Sequence, residues 1–150
     1  MSTHTFVGSS ATQAARAIFP IAAQFPIVCF ILALFSDVAY WQTAILMWAE
    51  FSAWLLLAGI VSGVIAALLG AIEVFARKRV RAVRPVWPYV VGSALILVIA
   101  FFNNLVHAGD GWTSVAPWGL TLSALTVVVI LATAVVGASL VYDNTEGARS

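Results

Sequence analysis

The chain has 150 residues, 63% of them hydrophobic and 9% charged, with a formal net charge of +1. A soluble domain carries about 25% charged residues, so the bilayer is the expected solvent and no basic surface suits nucleic acid. One cysteine, Cys29, excludes an internal disulfide.

The first element follows a Ser-, Thr- and Ala-rich tail, residues 1–15, read as flexible. An apolar run from about residue 17 to 36 lies between Arg16 and Asp37. With about 20 residues it is too long for a signal-peptide core and is read as a retained span. Pro20 and Pro26 lie within it and predict a bent or locally unwound helix. Gln24, between them, is a candidate intramembrane polar contact. It either bonds the carbonyls that the prolines free or reaches a ligand near the bend.

The second span is predicted over about 51–73, which puts Glu50 near a membrane interface between Trp48 and Trp54. Residues 38–46 then form an outer connection, either an interfacial turn or an extra helical stretch. Gly59, Gly63, Ala66 and Gly70 make a small-residue stripe suited to close helix contact, within the bundle or with a second protomer. Glu73 and Arg77 have the spacing of a helical ion pair. The third span is predicted over about 86–106 and the fourth over about 117–142, with Pro117 in its first turn. Ala134, Gly137 and Ala138 extend the small-residue theme. The expected fold is all-α, an integral membrane four-helix bundle filling residues 16–143, with residues 144–150 as a tail.

Every Lys and Arg lies in the N-terminal tail, the second connection or the C-terminal tail. That asymmetry predicts cytoplasmic N and C termini, as in a multi-pass protein of a bacterial inner membrane. Arg77, Lys78, Arg79, Arg81 and Arg84 are then placed to grip anionic lipid headgroups. Asp37, Glu50, Asn103, Asn104, His107 and Asp110 collect on the opposite, outer face. This polar cluster has three readings: ordinary helix-end solvation, partner docking, or metal or proton chemistry.

Several motifs resemble a bacterial membrane family, domain of unknown function 2231. Phe19-Pro20 with Gln24-Phe25-Pro26-Ile27 is similar to its opening His-Pro…His-Phe-Pro-Ile pattern, with both histidines replaced. Asp37, Gly59, Ala66, Gly70 and Glu73 continue the likeness. Gly137-Ala138-Ser139-Leu140-Val141-Tyr142 resembles its Gly-Gly-x-Leu-Val-Tyr ending. The resemblance implies a four-helix inner-membrane protein and an anchoring or redox-partner role beside membrane-bound dehydrogenases. Phe19 and Gln24 could not bind haem or metal as histidines there would.

No phosphate loop, CxxC pair or nucleophile elbow occurs in the sequence, and no catalytic residue is assigned. The histidines are His4 and His107, so a bis-histidine haem is not expected. No cofactor and no metal site is predicted. The leading expectation is a non-catalytic accessory or anchoring subunit of a larger membrane complex, of respiratory or dehydrogenase type. Its partners would be the lipid bilayer and another membrane protein or further copies of itself. A small oligomeric transporter or channel is the alternative. A quinone- or haem-binding redox protein is the second alternative.

Overall fold

The computed structural model describes residues 6–76, 87–109 and 115–147, with side chains described for 23–71, 87–109 and 115–139. Among these residues every regular element is helical: α1 Phe6–Thr43, α2 Leu46–Ala76, α3 Trp87–His107 and α4 Leu120–Gly147. Four helical stretches are long and apolar enough to cross a membrane: Ala23–Thr43, Leu46–Ala71, Trp87–His107 and Val115–Ser139, the last including the turn that leads into α4. The protein is thus a multi-pass integral membrane protein. α1 packs chiefly on α2 and α3 on α4, while α2·α3 and α1·α4 contacts close the ring. Chain order is therefore also spatial order, as short connections dictate.

The helices are apolar outside, and inside they bury mostly small and polar residues beside a few large apolar ones. On α1 the buried positions are Pro26, Cys29, Phe30, Ala33, Ser36, Asp37 and Tyr40, at helical spacings of three and four. On α3 they are Gly92, Ala100, Asn103 and His107. Phe35, Val64, Leu68, Val98, Phe102, Val128 and Leu131 point outward. Lipid tails are as apolar as leucine, so close packing and interhelical hydrogen bonds must hold such a bundle. Phe30, Ala33, Leu56, Ala100 and Ile130 form a tight apolar layer with contributions from all four helices.

Glycines set the helix spacing. Gly59 faces the Phe30 ring, Gly63 faces Leu97 and Pro26, and Gly137 faces Tyr89. Ala66 is buried, Gly70 half-buried, and Ala134 and Ala138 exposed. α1 is one helix through both Pro20 and Pro26, so the locally unwound segment expected there is not formed.

α1 also extends well beyond its predicted end at Ser36. It carries Asp37 inside the helix and reaches Thr43, leaving only Ala44 and Ile45 as the connection to α2. Of the two readings for 38–46, the further helical stretch is the one formed over most of it, and the turn itself is two residues long. Ala44 adopts a left-handed backbone, φ 52°, and its N–H donates to the Tyr40 carbonyl at 2.7 Å. That is the single-bond cap of a helix C-terminus, a position that glycine fills without a steric penalty. Left-handed alanine costs about 1–2 kcal/mol. Ala44→Gly is expected to raise stability by about 1 kcal/mol in reversible unfolding from mixed micelles. An unchanged or lowered stability would show that the turn is not held in this conformation.

α4 is entered through a kinked turn, Val115–Gly119, in which Ala116 is extended (φ −115°, ψ 128°). A residue before proline prefers this region, so Pro117 sets the start of the fourth span. Residues 77–86, with Arg77, Lys78, Arg79, Arg81 and Arg84, lie outside the described residues, as does the Glu73 side chain of the expected ion pair.

Candidate functional site: a buried Asp–His network

Three of the six predicted cluster residues meet inside the bundle. Asp37 on α1, with Asn103 and His107 on α3, joins Ser123 on α4. Asp37 lies six residues before the end of α1, about 9 Å along its axis. Asn103 and His107 are four residues apart and so share one helix face.

The connections form one chain. His107 Nδ1 lies 2.9 Å from the Asn103 carbonyl oxygen, and His107 Nε2 lies 2.8 Å from Asp37 Oδ1. Ser123 Oγ donates to Asp37 Oδ2. Asn103 Nδ2 donates to Ser123 Oγ at 2.7 Å. The side chains of Asp37 and His107 are both fully buried. Nearby, Ser52 on α2 donates to the Ala33 carbonyl at 3.3 Å, so all four helices take part in polar contacts at this level.

Hydrogen placement follows from the acceptors. A backbone carbonyl can only accept, so His107 Nδ1 carries a hydrogen. Ser123 donates to one carboxylate oxygen, and the other faces Nε2. A bare Nε2 would set a lone pair against that oxygen, so one proton must lie between them. The pair is either imidazolium with carboxylate or neutral imidazole with carboxylic acid. Both forms have no net charge. That neutrality makes two ionisable groups tolerable within a membrane span, where a lone charge is costly.

One acceptor is left over. Asn103 Oδ1 is buried and has no hydrogen-bond partner. The remaining predicted residues do not join the network. Glu50 and Gln24 are exposed, Asn104 is half-buried and Asp110 lies outside the described residues. Glu50 is nevertheless close by. A cavity of about 250 Å³ is lined by Leu46, Ala49, Glu50, Ala53, Trp54, His107 and Gly109. The His107 ring is sealed, so this residue meets the cavity through its main chain.

Ser123 and Ser52 were not singled out by motif, because serine is common in membrane helices. The available signal was spacing: Gly119 before α4 and Ser123, Thr126 and Ile130 within it form one buried line. Thr126 is spent on its own helix, donating to the Leu122 carbonyl at 2.8 Å.

Ser123→Ala removes the link between Asn103 and Asp37 and leaves the Asn103 amide with no partner at either end. A buried polar group without a partner costs about 1–3 kcal/mol. The variant is expected to lose stability in that range, read by thermal unfolding in detergent. A loss indistinguishable from zero would show that the Ser123 hydroxyl is not part of the network.

The arrangement is not a Ser-His-Asp triad. Asp37 stands between Ser123 and His107, so the hydroxyl is bonded to the carboxylate and no described contact pairs it with the imidazole. A nucleophile would need the imidazole as its base. Among the described residues no cluster of three or more His, Cys, Asp or Glu could hold a metal ion.

No curated protein and no solved structure matches the chain. Residues 15–148 match the family described as predicted membrane protein (DUF2231), a span that includes all four helix cores and every residue of the network. The chain therefore belongs to this family of membrane proteins, DUF2231.

Proposed function

We propose that the protein is a non-catalytic accessory or anchoring subunit of a larger membrane complex, of respiratory or dehydrogenase type. It would lie in a bacterial inner membrane with both termini in the cytoplasm. The observation that carries this reading is how the polar side chains are used. Asp37, His107, Ser123 and Asn103 spend their hydrogen bonds on one another across three helices. They tie the bundle together and do not converge on a substrate. A bundle cross-linked from within, with apolar outer faces, is what an anchoring subunit requires.

The test is gentle extraction from native membranes, followed by mass measurement of the intact particle. The expected particle exceeds the 15.9 kDa chain and contains a second polypeptide in fixed ratio. A particle holding this chain alone would end the reading. An orientation assay with reporters in the second connection checks the topology, and an outward-facing 77–84 segment would reverse it.

The small transporter or channel is favoured by one specific feature, the cavity that Glu50 and His107 share. Flux into liposomes that Glu50→Gln abolishes would select it over the anchor. A haem or quinone role gains less support. Both ring nitrogens of His107 are already engaged, so the ring would have to leave Asp37 to serve either group.

A further inference from the structure

The Asp37–His107 proton sits between two very different layers. Toward the middle of the bundle lies the apolar layer of Phe30, Ala33, Leu56, Ala100 and Ile130. Its side chains are all apolar, and the neighbouring Ser52 and Thr126 hydroxyls are engaged with the Ala33 and Leu122 carbonyls. Toward the Thr43–Leu46 end lies the cavity, with Glu50 on its wall and the His107 main chain at its edge. Access is therefore asymmetric across the membrane.

We propose that Asp37 and His107 form an exchangeable proton-binding site, loaded from the Glu50 cavity and closed toward the opposite face. The ligand is a proton delivered by water. The exposed Glu50 carboxylate gathers it at the cavity mouth. The unpartnered Asn103 Oδ1, buried beside the pair, offers an acceptor for the water that brings it in. The proton then rests between His107 Nε2 and Asp37 Oδ1, 2.8 Å apart. It passes from one atom to the other with no change in the net charge of the pair.

Other titratable side chains described at this end are few. Tyr40 on α1 is buried and Glu50 on α2 lines the cavity. From α4 the group facing the pair is the Ser123 hydroxyl. No described lysine or arginine supplies a competing charge. The proposal is independent of whether the protein anchors a partner.

Asp37→Asn isolates the proton from the fold. An asparagine amide can donate to bare Nε2 while its oxygen accepts from Ser123, so every bond survives and no shared proton remains. The experiment is nuclear magnetic resonance of the full chain in lipid nanodiscs, with nitrogen-labelled histidine. In the wild type, a resonance of the proton shared between His107 Nε2 and Asp37 Oδ1 is expected, exchanging with solvent faster than the Ala100 backbone amide. In Asp37→Asn that resonance is expected to disappear while the Nδ1 proton stays. Glu50→Gln and Ala53→Trp, which remove the gathering carboxylate and fill the cavity, are expected to slow the exchange. Glu50 is exposed, so that variant tests the route even if the tryptophan does not fold. A resonance that persists in Asp37→Asn overturns the site. Exchange as slow as the Ala100 amide, or unchanged in Glu50→Gln, overturns the route.

Discussion

Asp37→Ala is expected to destabilise the protein by about 3 kcal/mol, whereas Asp37→Asn is expected to cost under about 1 kcal/mol. Asp37 reaches two other helices, bonding His107 on α3 and Ser123 on α4. A side-chain hydrogen bond between membrane helices contributes about 0.6 kcal/mol on average and about 1.7 at most. Two such bonds alone would make the loss modest. The larger effect is what alanine leaves behind: a sealed imidazole nitrogen with no partner and a Ser123 hydroxyl hydrogen with no acceptor, at about 1–3 kcal/mol for each orphaned group. Asparagine leaves neither. The pair Asp37→Leu with His107→Leu is expected to recover most of the loss, since matched apolar replacement of a buried ion pair is often neutral or stabilising. Steric-trap or mixed-micelle unfolding would rank the variants. Equal losses for alanine and asparagine would mean that the carboxyl group fills space and nothing more. Recovery in the double variant would place the value of the pair in protonation and not in stability.

The four spans were legible because their apolar length is set by bilayer thickness, and no other feature of a protein this apolar competes with that signal. The error at the end of span one has a physical cause. Asp37 reads as the edge of a span because an unpaired carboxylate belongs in water. Here a histidine 70 positions away in the chain neutralises it, and the helix continues for six more residues to Thr43. A long-range partner of this kind leaves no mark in local hydropathy.

The cluster was half legible for a related reason. Orientation by the positive-charge rule gathers Asp37, Asn103 and His107 near one face, and the fold brings these three into contact. It also gathers Glu50 and Asn104, because the rule sorts residues by depth and not by the side of the helix on which they lie. Azimuth requires knowing which face turns inward. In a membrane bundle that face is the one with small and polar residues, as Ser36, Ser52, Asn103, Ser123 and Thr126 show. Hydropathy averaged along a span hides this inverted stripe. Counting Gly, Ala, Ser, Thr and Asn at three- and four-residue spacing would have placed Ser123 beside Asp37's partners.

Gly92→Ala is expected to destabilise by about 1–3 kcal/mol, the range for overpacking a well-filled interface, while Gly137→Ala stays within about 0.5 kcal/mol of wild type. Both glycines lie where α3 and α4 approach closely, and an added methyl meets a side chain in each case. The neighbours differ in their freedom to move. At Gly92 the new carbon would lie 2.9 Å from Thr133 Cβ and 2.5 Å from its Cγ2. A Cβ cannot shift without its backbone, and Thr133 is further held by its hydrogen bond to the Val129 carbonyl at 2.7 Å. The helices must therefore separate. At Gly137 the obstacle is the end of the Tyr89 ring, with Cε1 at 2.6 Å. Tyr89 is 43% exposed, so the ring can swing toward lipid with little loss. Alanine also gains about 0.5–1 kcal/mol over glycine within a helix, enough to offset a swung ring but not a forced separation. Gly59 belongs with Gly92, because the ring it faces, Phe30, is only 2% exposed and has nowhere to go. Unfolding free energies for the three alanine variants would test the ranking. If Gly137→Ala proves as costly as Gly92→Ala, the separation of α3 and α4 is set at the Tyr89 contact and not at Thr133.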